Sequence, residues 1–325
     1  MKLGKKQPKK RSRKAFRRRL VWGLTAVILA VSGLIIYSLL NLRNQTNPNG
    51  TPTMKAAIVD HLSDSSPNQT FVENCRSILK NTNFTTYYYS KVAVDVSFYR
   101  NLPNQGFDLI ILRVHSAVNE ESDLLVFFTS EPFSESAAST TYLSDFLCDP
   151  PRLVRARMYE GAKPFFGITP SFVGSMRGGF DHTIIIMMGC TGLGPQHTSM
   201  AEALVEKGAE VYIGLDGLVS PSHTDQMTTV LLQKLLAENK TVQNAVSETN
   251  SEVGPDPIYK SKMSWYPATE GDFSFTKILQ TASTLTSKTF SNAVTKKKSE
   301  DASELYGYHR DISDVYDAVS IDVCF

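Results

Sequence analysis

Six short apolar or aromatic runs recur between Met54 and about Pro267: Lys55–Val59, Thr85–Tyr89, Leu109–Leu112, Leu124–Phe128, Thr183–Met188 and Val211–Ile213. Each is too short for a buried helix and is bounded by polar or turn-forming residues, so each reads as a strand. Amphipathic stretches alternate with them and predict helices over Phe71–Leu79, Met200–Lys207, Thr224–Ala237 and Val242–Thr249. Strands that are apolar on both faces need cover on both faces, and strand–helix alternation makes the sheet mainly parallel. The expected fold is therefore α/β, with helices on both faces of a mainly parallel sheet. In such sheets, ligands and reactive groups gather at the carboxyl ends of the strands.

Local signals refine this outline. Ser199 precedes Glu202, and Ser222 precedes Asp225, by three positions, the spacing of a capping box at a helix start. Met227, Leu231 and Leu235 fall on one helical face with Val230 beside them, as a core-facing stripe requires. The segment 129–182 is too long for a simple connection and is expected to be an insertion with small elements of its own. The α/β domain is expected over 54–269. Residues 270–325, rich in Ser, Thr and Lys, read as a C-terminal extension.

The amino-terminal end has a different character. The net charge of +2 averages two unlike parts: residues 1–19 hold eleven Lys and Arg and no acid, leaving 23 bases against 32 acids elsewhere. Leu20–Leu40 follows without a charge, and 21 residues at about 1.5 Å each span the roughly 30 Å hydrocarbon core of a bilayer. A cleaved signal peptide would have a shorter apolar core and small residues at its end, whereas this run closes on Tyr37-Ser38-Leu39-Leu40. Residues 20–42 are thus expected to anchor the chain as one transmembrane helix. Positive charge favours the cytoplasmic side, which makes 1–19 a cytoplasmic tail and puts the remainder outside the cell membrane. The basic tail is accounted for by the membrane, so nucleic acid is not expected as a partner. Residues 43–53, rich in Asn, Pro, Gly and Thr, read as a stalk. Glycosylation patterns occur at Asn44, Asn49, Asn68, Asn83 and Asn239.

The reactive residues are found by asking where the apolar runs stop. Ile184–Met188 stops at Gly189-Cys190, and Leu109–Leu112 is followed closely by His115. Two neighbouring parallel strands lie about 4.8 Å apart, so adjacency would bring an imidazole and a thiol to one sheet edge. An imidazole beside a thiol promotes thiolate formation and nucleophilic attack. Backbone N–H groups at Gly189, Cys190 and near Ser116 are then candidates to hold an oxyanion.

Strand-His and strand-Cys, followed by "SMAEALVEKGAEVYIGLDGLVS" and a helix ending "TVQNAVSET", resemble the caspase-like cysteine peptidases. The gingipain and CHAT branches are the nearest, with Gly208-Ala209 matching their pair before the next strand. The resemblance spans roughly Met54 to Thr249. It implies a caspase-hemoglobinase fold, a His115–Cys190 dyad and a peptide or protein substrate. Ser116 stands where the family usually has Gly. The separation of 75 residues between the dyad members exceeds the roughly 50 of caspases, as an insertion at 129–182 would explain. The alternative is a catalytically silent domain of this fold that binds a peptide or protein at the cell surface.

Other chemistries fit less well. Gly189, Gly192 and Gly194 are in the order G-x-x-G-x-G, not the dinucleotide order, so no cofactor is expected. His182, His197 and His223 lack metal-ligand spacing, and no metal is expected. Asp60 and Asp216 each end or follow a strand. They either take up a Lys or Arg side chain of the substrate or serve as loop caps. Arg113 either orients a carboxylate in the site or pairs with a structural acid. If Cys190 is a free thiol, at most one disulfide forms among Cys75, Cys148 and Cys324.

Overall fold

The computed structural model describes residues 53–118 and 124–275. The basic tail, Leu20–Leu40, the stalk up to residue 52 with Asn44 and Asn49, and the chain beyond 275 lie outside the described residues. Among the described residues no helix is long and apolar enough to cross a membrane.

The strands, in chain order, are β1 (Met54–Asp60), β2 (Phe84–Ser90), β3 (Leu109–Arg113), β4 (Ser116–Val118), β5 (Leu125–Pro132), β6 (Leu153–Ala156), β7 (Phe165–Ile168), β8 (Thr183–Met187), β9 (Ala209–Leu215) and β10 (Met263–Tyr266). The longer helices are α1 (Gln69–Asn81), α2 (Ser199–Glu206), α3 (Pro221–Leu232) and α4 (Val242–Val253). A π-helical turn, Gln233–Ala237, extends α3. The protein is mixed α/β. Its central sheet has the order β10-β9-β8-β3-β1-β2. The pairs β2–β1, β1–β3, β3–β8 and β8–β9 are parallel, and β10 alone runs antiparallel, against β9.

Successive residues of the central strands serve opposite layers, as a pleated strand dictates. Ala56, Ile58, Leu109, Ile111, Ile184, Ile186, Val211 and Ile213 pack with Phe71, Cys75 and Leu79 of α1, Met227 and Leu231 of α3, and Val242 and Ala245 of α4. Ala57, Val59, Ile110, Leu112, Ile185, Met187 and Tyr212 pack on the other side with Met200, Ala201 and Leu204 of α2 and the short helix Pro170–Gly174.

That second layer also contains a feature the strand pattern does not announce. β5 does not join the central sheet. It pairs antiparallel with β4 and β7 in a separate sheet, β4-β5-β7-β6, whose Leu125, Phe127, Phe166 and Ile168 lie in the same core layer. The insertion therefore supplies β6 and β7, and part of the cover over the central sheet is another sheet.

The capping boxes do not form. Ser220 is the cap residue of α3 and Pro221 its first residue, so Ser222 lies within the helix. Thr198 precedes α2, and its hydroxyl donates to Glu202 at 2.7 Å. Asn68 caps α1: Oδ1 accepts from Phe71 N at 3.1 Å, while Nδ2 donates to Asp225 at 2.9 Å. Its amide is thus engaged with the protein. The core also continues past 269, because Phe273 and Phe275 are buried and Phe275 meets Phe84 edge-on at 5.5 Å.

Arg113, the last residue of β3, is fully buried. Its Nε and Nη2 donate to Asp225 at 2.7 and 3.0 Å, Nη1 donates to Asp60 at 2.8 Å, and Nη2 also donates to Ser66 O at 2.8 Å. Burial alone would lower the guanidinium's pKa, but the hydrogen bonds to Asp225 and Asp60 outweigh it and raise it. Removing one partner of a buried pair strands the other charge, which typically costs about 3–5 kcal/mol. Arg113→Met is therefore expected to destabilise the protein by roughly that amount in urea unfolding, and Arg113→Met with Asp225→Leu to recover part of the loss. A single variant as stable as the parent would show that the network does not support the core.

Candidate active site

β3 and β8 are adjacent and parallel, in register from Leu109↔Ile184 to Leu112↔Met187. One more bond, Met188 N to Leu112 O at 2.9 Å, carries the pairing past the strand end. The two segments after the strands remain in contact. Ser116 Oγ donates to Cys190 O at 2.6 Å. A Cβ on Gly189 would lie 2.4 Å from Ser116 Oγ and 2.6 Å from Val114 O. Gly189 is thus required for the close approach of His115-Ser116 to Gly189-Cys190.

Cys190 is a half-buried free thiol. Its Sγ lies 3.8 Å from Val219 O, the carbonyl just before α3 begins. Thr191 follows with φ +57°, an uncommon backbone state for a β-branched residue, and its N–H donates to Gly217 O at 2.8 Å. Two carbonyls of the 216–220 loop thereby hold the Cys190-Thr191 turn. Thr191 N–H is thus committed to the loop, and the Ser116 hydroxyl holds the Cys190 carbonyl.

His115 is half-buried. Its ring stands edge-on to Phe128 at 6.3 Å and to His61 at 5.6 Å. Burial lowers its pKa, and Lys91 and Arg113 add to the effect; among the described residues no carboxylate offsets them. The imidazole is therefore neutral at neutral pH and able to accept a proton.

His61 was not singled out by the sequence pattern. It follows Asp60 directly at the end of β1, so three neighbouring strands, β1, β3 and β8, emit His61, His115 and Cys190 at one edge. His61 is buried, and its Nε2 lies 3.2 Å from Thr129 O. A carbonyl only accepts, so Nε2 bears the proton and Nδ1 carries the lone pair. That Nδ1 is buried without a hydrogen-bond partner. Burial, together with the nearby His115, pushes the His61 pKa down to about 4.

The two acids considered for substrate binding are placed differently. Asp60 is buried, with Oδ1 on Arg113 and Oδ2 accepting from Tyr88 OH at 3.0 Å. It is a core partner of Arg113 and does not present a free carboxylate to a substrate. Arg113 is likewise tied to structural acids. Asp216 is exposed, and its Oδ1 accepts from Lys262 N at 2.7 Å, which ties the residue after β9 to the residue before β10.

The remaining candidates lie apart. His182 bonds Glu210 at 2.8 Å on the surface, and His223 is buried in α3. Among the described residues no group of three or more His, Cys, Asp or Glu could hold a metal ion. Cys75 is a buried free thiol whose pKa burial drives far above the usual range, which makes it inert. Cys148 is disulfide-bonded, and Cys324 lies outside the described residues.

The depressed His61 pKa has a sign that can be tested. In the unfolded chain His61 titrates near its ordinary 6.5; in the folded protein it resists protonation until about 4. Its stabilising contribution is full above pH 6.5 and is lost as the pH falls toward 4, because only the unfolded state takes up the proton there. Urea unfolding of the parent between pH 7 and 4 should show this decline, and His61→Phe should flatten it. An equally steep decline in His61→Phe would assign the acid sensitivity elsewhere.

No protein-family model matches the chain, and no curated protein does. Among solved structures, the crystal structure of the Drosophila initiator caspase Dronc aligns with a TM-score of 0.35 and 8% identity, covering 66% of this chain and 77% of that one. A likeness at this level shows no family membership.

Proposed function

We propose that the chain is a cysteine peptidase in which Cys190 is the nucleophile and His115 its acid–base partner. One observation carries this reading: β3 and β8 are parallel neighbours whose ends stay joined beyond the sheet by the Ser116–Cys190 hydrogen bond across Gly189. His115 takes the thiol proton as Cys190 Sγ bonds to the peptide carbonyl carbon. The tetrahedral oxyanion is held by backbone N–H groups at Cys190 and beside Ser116. His115 then gives the proton to the leaving amine, and a thioester remains for water to hydrolyse. The resemblance of the motif region to caspase-like peptidases supports the same chemistry. Asp216, the one of the two acids that faces solvent, is available to a Lys or Arg side chain of the substrate. The charge step across Leu20–Leu40 supports an anchored chain with this domain outside the cell.

One experiment addresses chemistry and placement together. A membrane-impermeant peptidyl electrophile applied to intact cells should label the parent, fail to label Cys190→Ala, and label His115→Ala about 10²–10⁴-fold more slowly. A probe ending in Lys should lose its advantage over one ending in Ala in Asp216→Asn. Labelling of Cys190→Ala at the parental rate would overturn the mechanism. Labelling that appears only after lysis would overturn the placement and leave the mechanism standing. A folded parent whose Cys190 reacts no faster than free cysteine would favour a silent peptide-binding domain.

A further inference from the structure

We infer that His61 is a positioning residue for His115: its neutral ring supplies the acceptor that a dyad histidine ordinarily finds in a carboxylate or carbonyl. The inference rests on the His115–Cys190 reading. A histidine that takes up a proton becomes a donor at both nitrogens, and one of them faces away from the nucleophile. A carboxylate usually accepts there, orienting the ring and supporting its charge. Among the described residues, the charged groups that act on His115 are Lys91, in the turn after β2, and Arg113, at the end of β3, both cations. His61 itself faces Lys91 and Asp64 besides His115.

Of the two rings in edge contact with His115, His61 is the nearer and the one that carries nitrogen. Thr129 O fixes its tautomer, leaving a bare Nδ1 lone pair with no donor to fill it. An unfilled acceptor is a cost to a folded protein. It becomes a gain when the neighbouring ring is protonated, because a donor then exists to meet it and a π-face or lone pair to stabilise it. His61 resists protonation itself, so it remains an acceptor through the cycle. Phe128, which also meets His115 edge-on, is apolar and supplies packing only.

The test is the pH dependence of Cys190 alkylation by iodoacetamide in the full chain, with His115→Ala, His61→Phe and His61→Asn as variants. His61→Phe should slow alkylation at neutral pH by at least about tenfold, less than loss of the acid–base group itself. The limb of the profile that disappears in His115→Ala should move to lower pH in His61→Phe, because the protonated His115 has lost support. His61→Asn, whose side-chain oxygen falls near the position of Nδ1, should recover part of both effects. A purely structural His61 would lower the unfolding midpoint and leave the limb in place, and that result would overturn the inference. So would His61→Phe matching the parent while His115→Ala is slow, with the dyad left standing. If His115→Ala itself alkylates at the parental rate, the dyad falls and the role of His61 falls with it.

Discussion

One buried guanidinium ties together the parts of this molecule that chemistry needs. Arg113 closes β3 two residues before His115 and is held by Asp60 at the end of β1, by Asp225 in the first turns of α3, and by the Ser66 carbonyl in the loop between β1 and α1. Asn68 adds a bond to Asp225, and Tyr88 of β2 adds one to Asp60. A charge with no access to water is tolerated only when it is paired and hydrogen-bonded, so these partners cannot drift apart without a large penalty. The carboxyl ends of β1 and β3 and the start of α3 are thereby fixed to one point.

The consequence reaches Cys190 by a separate route. α3 begins immediately after the 216–220 loop, whose Gly217 and Val219 carbonyls face Thr191 N–H and the Cys190 thiol. The helix that pairs with Arg113 is therefore continuous with the loop that cradles the Cys190 thiol. The same core interaction orients the strand carrying the histidine and the helix following the cysteine's support. Gly189 completes the join, since a side chain there would drive the two segments apart. Rigid elements and a packed core set this geometry to a precision that loops alone do not reach.

Much of this architecture was legible in the sequence because central parallel strands are buried on both faces and advertise themselves as apolar runs. The ends of β1, β3, β8 and β9 could be read within a residue or two for that reason. What a run cannot state is its partner. Leu124–Phe128 was readable as a strand and not as a member of a second sheet, since pairing depends on β4 and β7, which are short. The acids were hard for a related reason. Asp225 sits three residues after a serine and imitates a capping acid, and Asp60 ends a strand and imitates a pocket acid. Both are consumed by Arg113, and only the three-dimensional pairing reveals it. His61 had a signal that went unused: the rule that a reactive residue follows an apolar strand applies to Asp60-His61 as it does to Val114-His115.

The central claim is that His115 and Cys190 act as one coupled pair. Interacting groups titrate together, and removing one shifts the other. The imidazole signals of His115, followed by nuclear magnetic resonance across pH in the parent and in Cys190→Ala, test this most directly. Where Cys190 gives up its proton, the thiolate favours the protonated ring, so the alkaline side of the His115 titration should retreat to lower pH once the sulfur is gone. Superimposable titration curves in two equally folded proteins would contradict the account.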